Sequence, residues 1–158
     1  MKISTTISLA AVALISATAV AQHLPYHGDG HVIITAESLE WRDVPSMETG
    51  AKISVLEGNL AKAKPFTFRL KLPADYRLAP HIHPAYERVT VLQGELHFAH
   101  GRQFDRGATT AMPVGGFAVM APGEPMFGYT TEETIIQLHG TGPWGIEYLD
   151  PADDPRKR

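Results

Sequence analysis

The sequence predicts an all-β chain folded as a small sandwich or barrel, and three observations carry that expectation. Short runs rich in β-branched and aromatic residues recur at close spacing, 14 Gly and 12 Pro are distributed among them, and no stretch keeps a helical apolar period beyond about one turn. At 158 residues, a single domain is the natural count.

Residues 1–21 read as an export signal. Lys2 gives a positive start, residues 7–20 form an apolar run broken only by Ser and Thr, and Ala19-Val20-Ala21 offers small residues for cleavage before Gln22. That run falls short of the roughly 20 apolar residues of a spanning helix. No Cys follows it to carry a lipid. The expected organisation is a cleaved signal at 1–21, one domain over 22–150, and a disordered tail over 151–158, where two Pro and no apolar run occur. A periplasmic or secreted location follows, with no membrane attachment after cleavage.

Within the domain, Thr35-Ala36-Glu37-Ser38-Leu39-Glu40 predicts about one helical turn, with a second turn around 102–105. Pro65 to Leu72 alternates apolar and polar residues, so Phe66, Phe68, Leu70 and Leu72 share one face. Arg88 to Leu92 predicts a strand, and Gln93-Gly94 after it reads as the turn of a hairpin into Glu95-Leu96-His97-Phe98. Further strands are expected at 116–121, 126–130, 134–139 and 144–149. If Thr130-Thr131-Glu132-Glu133 closes a second hairpin, Met126 lies opposite Gln137, with His139 a diagonal neighbour on the same face.

Composition removes several functions. A formal net charge of −3 argues against nucleic-acid partners, which need a basic footprint on the phosphate backbone. The absence of Cys excludes disulfides, thiolate metal sites and cysteine nucleophiles, and no Ser-His-Asp arrangement is visible. What stands out is eight His. His23, His27 and His31 recur every four residues in an arm broken by Pro25, Gly28 and Gly30, and His97 and His100 have opposite strand parity. His81-Ile82-His83 is different: in an extended segment both imidazoles point to one face, and Glu87 follows four residues on. Two His and one carboxylate make the donor set of an open facial metal site. Pro80 and Pro84 bracket the pair and restrict its backbone.

His81-x-His83-x3-Glu87-x6-Gly94 resembles the first signature motif of the cupin superfamily, with Asp75 where that motif begins with Gly. The second motif, Gly-x5-Pro-x-Gly-x2-His-x3-Asn, is matched in degraded form by Gly115, Ala121, Gly123, Met126 and Thr130, so Met126 stands where the third His belongs. A register one residue later keeps Gly116 and Pro122 but puts Phe127, which cannot donate, at the ligand. The stretch Leu138 to Ile146 also looks like small single-domain exported bacterial cupins. The resemblance implies a double-stranded β-helix, often homodimeric, whose interior holds a divalent transition metal (Fe, Mn, Ni, Zn or Cu) and a small-molecule ligand. It implies His81, His83, Glu87 and Met126 as metal ligands. Met126 either donates its thioether, which favours copper, or packs. Gln137 and His139 are candidates to orient a ligand or substrate. Arg88 is expected to point outward, and Trp41 and Trp144 to pack. Fold alone does not fix function: the resemblance admits a metal-dependent oxidoreductase or isomerase acting on a small oxygenated molecule, a non-catalytic metal or ligand binder, and a structural dimer with a decayed site.

Overall fold

The computed structural model describes residues 25–158. The expected export signal at 1–21 and His23 lie outside that range. The strands are β1 (Arg42–Asp43), β2 (Lys52–Glu57), β3 (Pro65–Leu72), β4 (Arg77–Ile82), β5 (Glu87–Gln93), β6 (Leu96–His100), β7 (Thr110–Met112), β8 (Phe117–Met120), β9 (Met126–Thr130), β10 (Thr134–Thr141) and β11 (Glu147–Tyr148). Helix is limited, among the described residues, to short 3-10 turns. The turn expected over 35–40 forms as Ala36–Ser38, and the one expected near 102–105 forms later, at Arg106–Ala108.

Two antiparallel sheets carry the strands in the orders β1-β2-β3-β10-β5-β8 and β11-β4-β9-β6-β7. The alternation in β3 puts Phe66, Phe68, Leu70 and Leu72 on the inner face, each at most 5 % exposed. They pack with Val89 and Val91 of β5, Ile136 and Leu138 of β10, and Leu96 and Met126 of the opposing sheet. At the centre of this layer Phe68 is 0 % exposed, and truncating such a side chain to Ala typically costs about 3–5 kcal/mol.

From β3 onward the chain changes sheet at every link except β6 to β7. This wrapping is the double-stranded β-helix, and it overturns both expected hairpins. Strand β5 pairs with β10 and β8, not with β6, and β9 pairs with β4 and β6, not with β10. The turns at Gly94 and at residues 131–133 are crossovers that press on each other. Gly94 has φ 70°, and a Cβ added there would lie 2.6 Å from the Glu133 carbonyl oxygen. Thr134, fully buried, has its hydroxyl 3.1 Å from the Glu95 carbonyl.

The tail, expected to be disordered, instead forms the 3-10 turns Pro151–Asp153 and Pro155–Lys157. Paired charges hold it rather than apolar burial. Arg156 Nε and Nη2 donate to the Asp154 carboxylate at 2.7 and 2.9 Å, and Nη2 also reaches the Ile146 carbonyl at 3.1 Å. Arg77 pairs with Asp153 at 2.9 Å, and Arg158 with Glu48.

Replacing Gly94 by Ala forces a Cβ against a backbone carbonyl in a left-handed conformation, so the variant should lose roughly 1–3 kcal/mol of stability by urea unfolding. An unchanged midpoint would show that the crossover relaxes freely.

Candidate functional site

A bulge decides which way His81 faces. Leu78 and His81 both border the barrel interior although they are three positions apart, because the β4–β9 register shifts between those positions. Pro80, which has no N–H to offer a ladder, falls inside that irregular stretch. His83 then repeats the inward direction two residues on, and Glu87 opens β5 on its inner face opposite Met120. The three side chains are 5 %, 2 % and 4 % exposed.

Each imidazole is aimed by a backbone carbonyl. His81 Nδ1 lies 2.6 Å from Ala79 O, and His83 Nδ1 lies 2.6 Å from Gly145 O. A carbonyl only accepts, so both Nδ1 atoms carry the proton, and in the neutral ring Nε2 keeps its lone pair. Burial pushes His81 down to about 4. It also pushes His83, with neighbouring His81 adding to the effect, down to about 3. The rings stand 4.8 Å apart at 78°. His83 Nε2 is 3.4 Å from Glu87 Oε2, yet this is no ion pair at neutral pH. Burial raises the Glu87 carboxyl to about 8, against the opposing effect of a hydrogen bond from Trp144. Trp144 Nε1 donates that bond to Oε2 at 2.7 Å, and the indole stacks on His83 at 4.8 Å and 19°.

The donors border a cavity of about 30 Å³ walled by apolar side chains including Met47, Leu78, Val89, Phe98 and Ile146. Two grooves of about 480 and 450 Å³ lie outside, along the arm that carries His27, and hold none of the donors. In chemical terms the set fits a transition metal: two neutral, oriented imidazoles beside a carboxyl. As they stand, no three His, Cys, Asp or Glu side chains among the described residues form a cage for an ion, and Glu87 is occupied by Trp144.

Other candidate residues are placed differently from expectation. Met126 is 0 % exposed and is the cross-strand partner of His81, but it does not border the cavity, whereas Met47 does. Gln137 and His139 are not opposite Met126. They lie on the outer face of β10, paired with Arg69 and Thr67 of β3, and Gln137 accepts from Arg69 Nε at 3.1 Å. The hairpin that would bring them to Met126 does not form, since β9 pairs with β4 and β6. Arg88 does point outward, over the Tyr86 ring. His97 stacks on Tyr129 outside the barrel, and His100 is exposed. Trp144, expected only to pack, instead bonds to Glu87 and stacks on His83; its place just after Gly142-Pro143, past the last long strand, is the one signal of this in the sequence. Asp75 adopts φ 57°, as the Gly it replaces would, and Gly94, Gly115 and Gly123 are also left-handed.

The ChrR cupin-like domain matches residues 29–143. The chain belongs to that cupin family. No curated protein matches this cupin in sequence. In structure it is similar to the polyketide cyclase RemF from Streptomyces resistomycificus, at 15 % identity and TM-score 0.65 over 81 % of this chain and 92 % of that one. An RmlC-like cupin from Shewanella frigidimarina gives 15 %, 0.57, 71 % and 91 %. The complex of Rhodobacter sphaeroides SigE with the anti-sigma ChrR gives 16 %, 0.52, 67 % and 51 %. These likenesses show the fold.

The site's protonation fixes a pH dependence. Unfolded histidine takes a proton near 6.5 and the folded rings only at about 4 and about 3, so stability falls as pH drops below 6.5. Glu87 acts in the opposite direction: the folded carboxyl keeps its proton to about 8 and the unfolded one loses it near 4.5, so stability is lost as pH rises across that window. Glu87→Gln should therefore flatten the alkaline side of the metal-free stability profile, by a few kcal/mol at most. Urea midpoints from pH 5 to 8 that track wild type would refute this.

Proposed function

We propose that this cupin is an exported, periplasmic metal-binding protein in which His81, His83 and Glu87 hold a divalent transition metal, and that it acts on or binds a small oxygenated molecule there. The observation that carries the reading is the double anchoring of the imidazoles. Both Nδ1 atoms are spent on backbone carbonyls at 2.6 Å, which leaves two Nε2 lone pairs, that of His83 3.4 Å from the Glu87 carboxyl, the arrangement that fixes metal-binding histidines. A bound metal would supply Lewis acidity toward an oxygen donor. Around it, the chain's own contribution is to exclude water with apolar walls and to keep both rings neutral. The export signal at 1–21 supports the periplasmic address, and a mature N-terminus at Gln22 in a cell fraction would test it.

A non-catalytic binding module is the second reading, favoured by a cavity of about 30 Å³, which is room for little more than one water. Oxygen consumption across a panel of small oxygenated substrates separates the two. Self-association as a homodimer is supported by an exposed apolar row on β8 and its neighbours: Phe117, Val119, Val114 and Tyr86 are 56 %, 47 %, 63 % and 53 % exposed. Strand β8 is also an open sheet edge.

Elemental analysis of protein purified from its exported location should find about one transition metal per chain, lost in His81→Ala. Met126→Leu should leave the content unchanged, because Met126 lies off the cavity wall; selective loss of copper would instead make its sulfur a ligand. Absence of metal from the wild type under varied supplementation would overturn the reading. For self-association, Val119→Lys should convert a dimer to a monomer by sedimentation.

A further inference from the structure

Trp144 touches two of the three donors, bonding to Glu87 and stacking on His83. Its residue is partly exposed where His81, His83 and Glu87 are at most 5 % exposed. The indole is held on several sides: it donates to Glu87 Oε2 at 2.7 Å, stacks on His83 at 4.8 Å, and meets the Phe68 ring edge-on at 4.8 Å. The backbone that carries it is pinned as well. Gly142 N donates to Lys64 O at 3.0 Å, and Trp144 N to Leu60 O at 2.7 Å.

We propose that Trp144 is the specificity-determining residue of this centre, restricting the coordination positions that a bound metal leaves open to ligands of water or diatomic size. The inference rests on the reading of His81, His83 and Glu87 as a metal site and deepens it by naming the ligand class. Size is the first argument. The cavity left beside the indole is about 30 Å³, enough for one or two atoms beyond hydrogen but not for a five-membered ring or a diketone. Its walls are the second: apart from the donors and the indole N–H they are hydrocarbon and thioether, which suits dioxygen, water or a small anion on the metal and offers no hydrogen bonds to an organic substrate. Connectivity is the third. The strap of residues 142–146 cannot swing aside to admit a larger molecule without breaking the His83–Gly145 bond that aims one of the ligands.

Cobalt(II) loaded into the mature full chain gives a direct readout through its visible d–d absorption. Wild type should bind Co²⁺ and change its spectrum with stoichiometric cyanide, a diatomic anion, but not with imidazole. Trp144→Ala should gain the response to imidazole. Trp144→Phe keeps a ring but loses the N–H, so it should still exclude imidazole while binding Co²⁺ roughly tenfold more weakly. Circular dichroism establishes that each variant is folded. If the variants fail to fold, the wild-type comparison still decides: a spectral response to imidazole overturns the restriction, and a silent response to cyanide shows a centre with no open position and overturns it too. A folded Trp144→Ala protein that still excludes imidazole removes Trp144 from the role. Failure of the wild type to bind Co²⁺ at all is a separate outcome, which overturns the metal reading and the inference with it.

Discussion

The hydrogen bonds from two histidine rings to the carbonyls of Ala79 and Gly145 constrain this molecule more than any other contact. A buried imidazole with a free Nδ1–H would turn toward whatever acceptor it found, and its second nitrogen would turn with it. The carbonyls remove that freedom, and they come from distant parts of the chain: Ala79 lies in the β4 bulge, Gly145 in the strap after β10. The site therefore exists only when the strap is docked. Docking in turn depends on Leu60 and Lys64 at one end and on Arg156, bonded to the Ile146 carbonyl, at the other. In this way the C-terminal turns, far from the donors in sequence, support the orientation of His83.

Burial and charge pull against each other in the same site. Without a metal, the interior is left with two neutral rings and a protonated carboxyl, the combination that a low-dielectric, apolar barrel tolerates best. The same desolvation that keeps the rings unprotonated leaves their lone pairs available, because at neutral pH no proton has to leave them. Glu87 is the exception. Its proton must be displaced before the carboxylate can bind a cation, and the indole N–H eases that step by stabilising the charged form.

What was legible in the sequence followed from local rules. Alternation in residues 65–72 gave the buried face of β3, the His-x-His spacing gave a shared direction, and a Gly or Asp at each left-handed position marked the turns. Which sheet a strand joins is not a local property. Gly94 carries the same signal in a two-stranded hairpin and in a crossover, and only the pairing of β5 with β10 distinguishes them. Gln137 and His139 would face Met126 only across a hairpin between β9 and β10, and that hairpin does not form. Polar pairing misled in the other direction: the tail has no apolar run, yet charged residues anchor it. Met47, which lines the cavity from the loop before β2, carries no periodic signal at all.

Met126 and Trp144 become connected once the interior is considered as a packing problem. A histidine at position 126 would need a partner for each ring nitrogen in a core where Met126 is 0 % exposed. Methionine needs none, and it closes the apolar layer beside His81. In the proposed metal site, with Met126 off the cavity wall, the Glu87 carboxylate would carry more of the burden of holding a cation, and a mobile carboxylate would do so poorly. Trp144 meets that requirement by fixing Glu87 with its N–H and His83 with its face. Such fixation fills space: an indole large enough to reach both donors also takes up part of the cavity wall beside them. Orientation of the proposed donors and restriction of the cavity would thus be two consequences of one side chain.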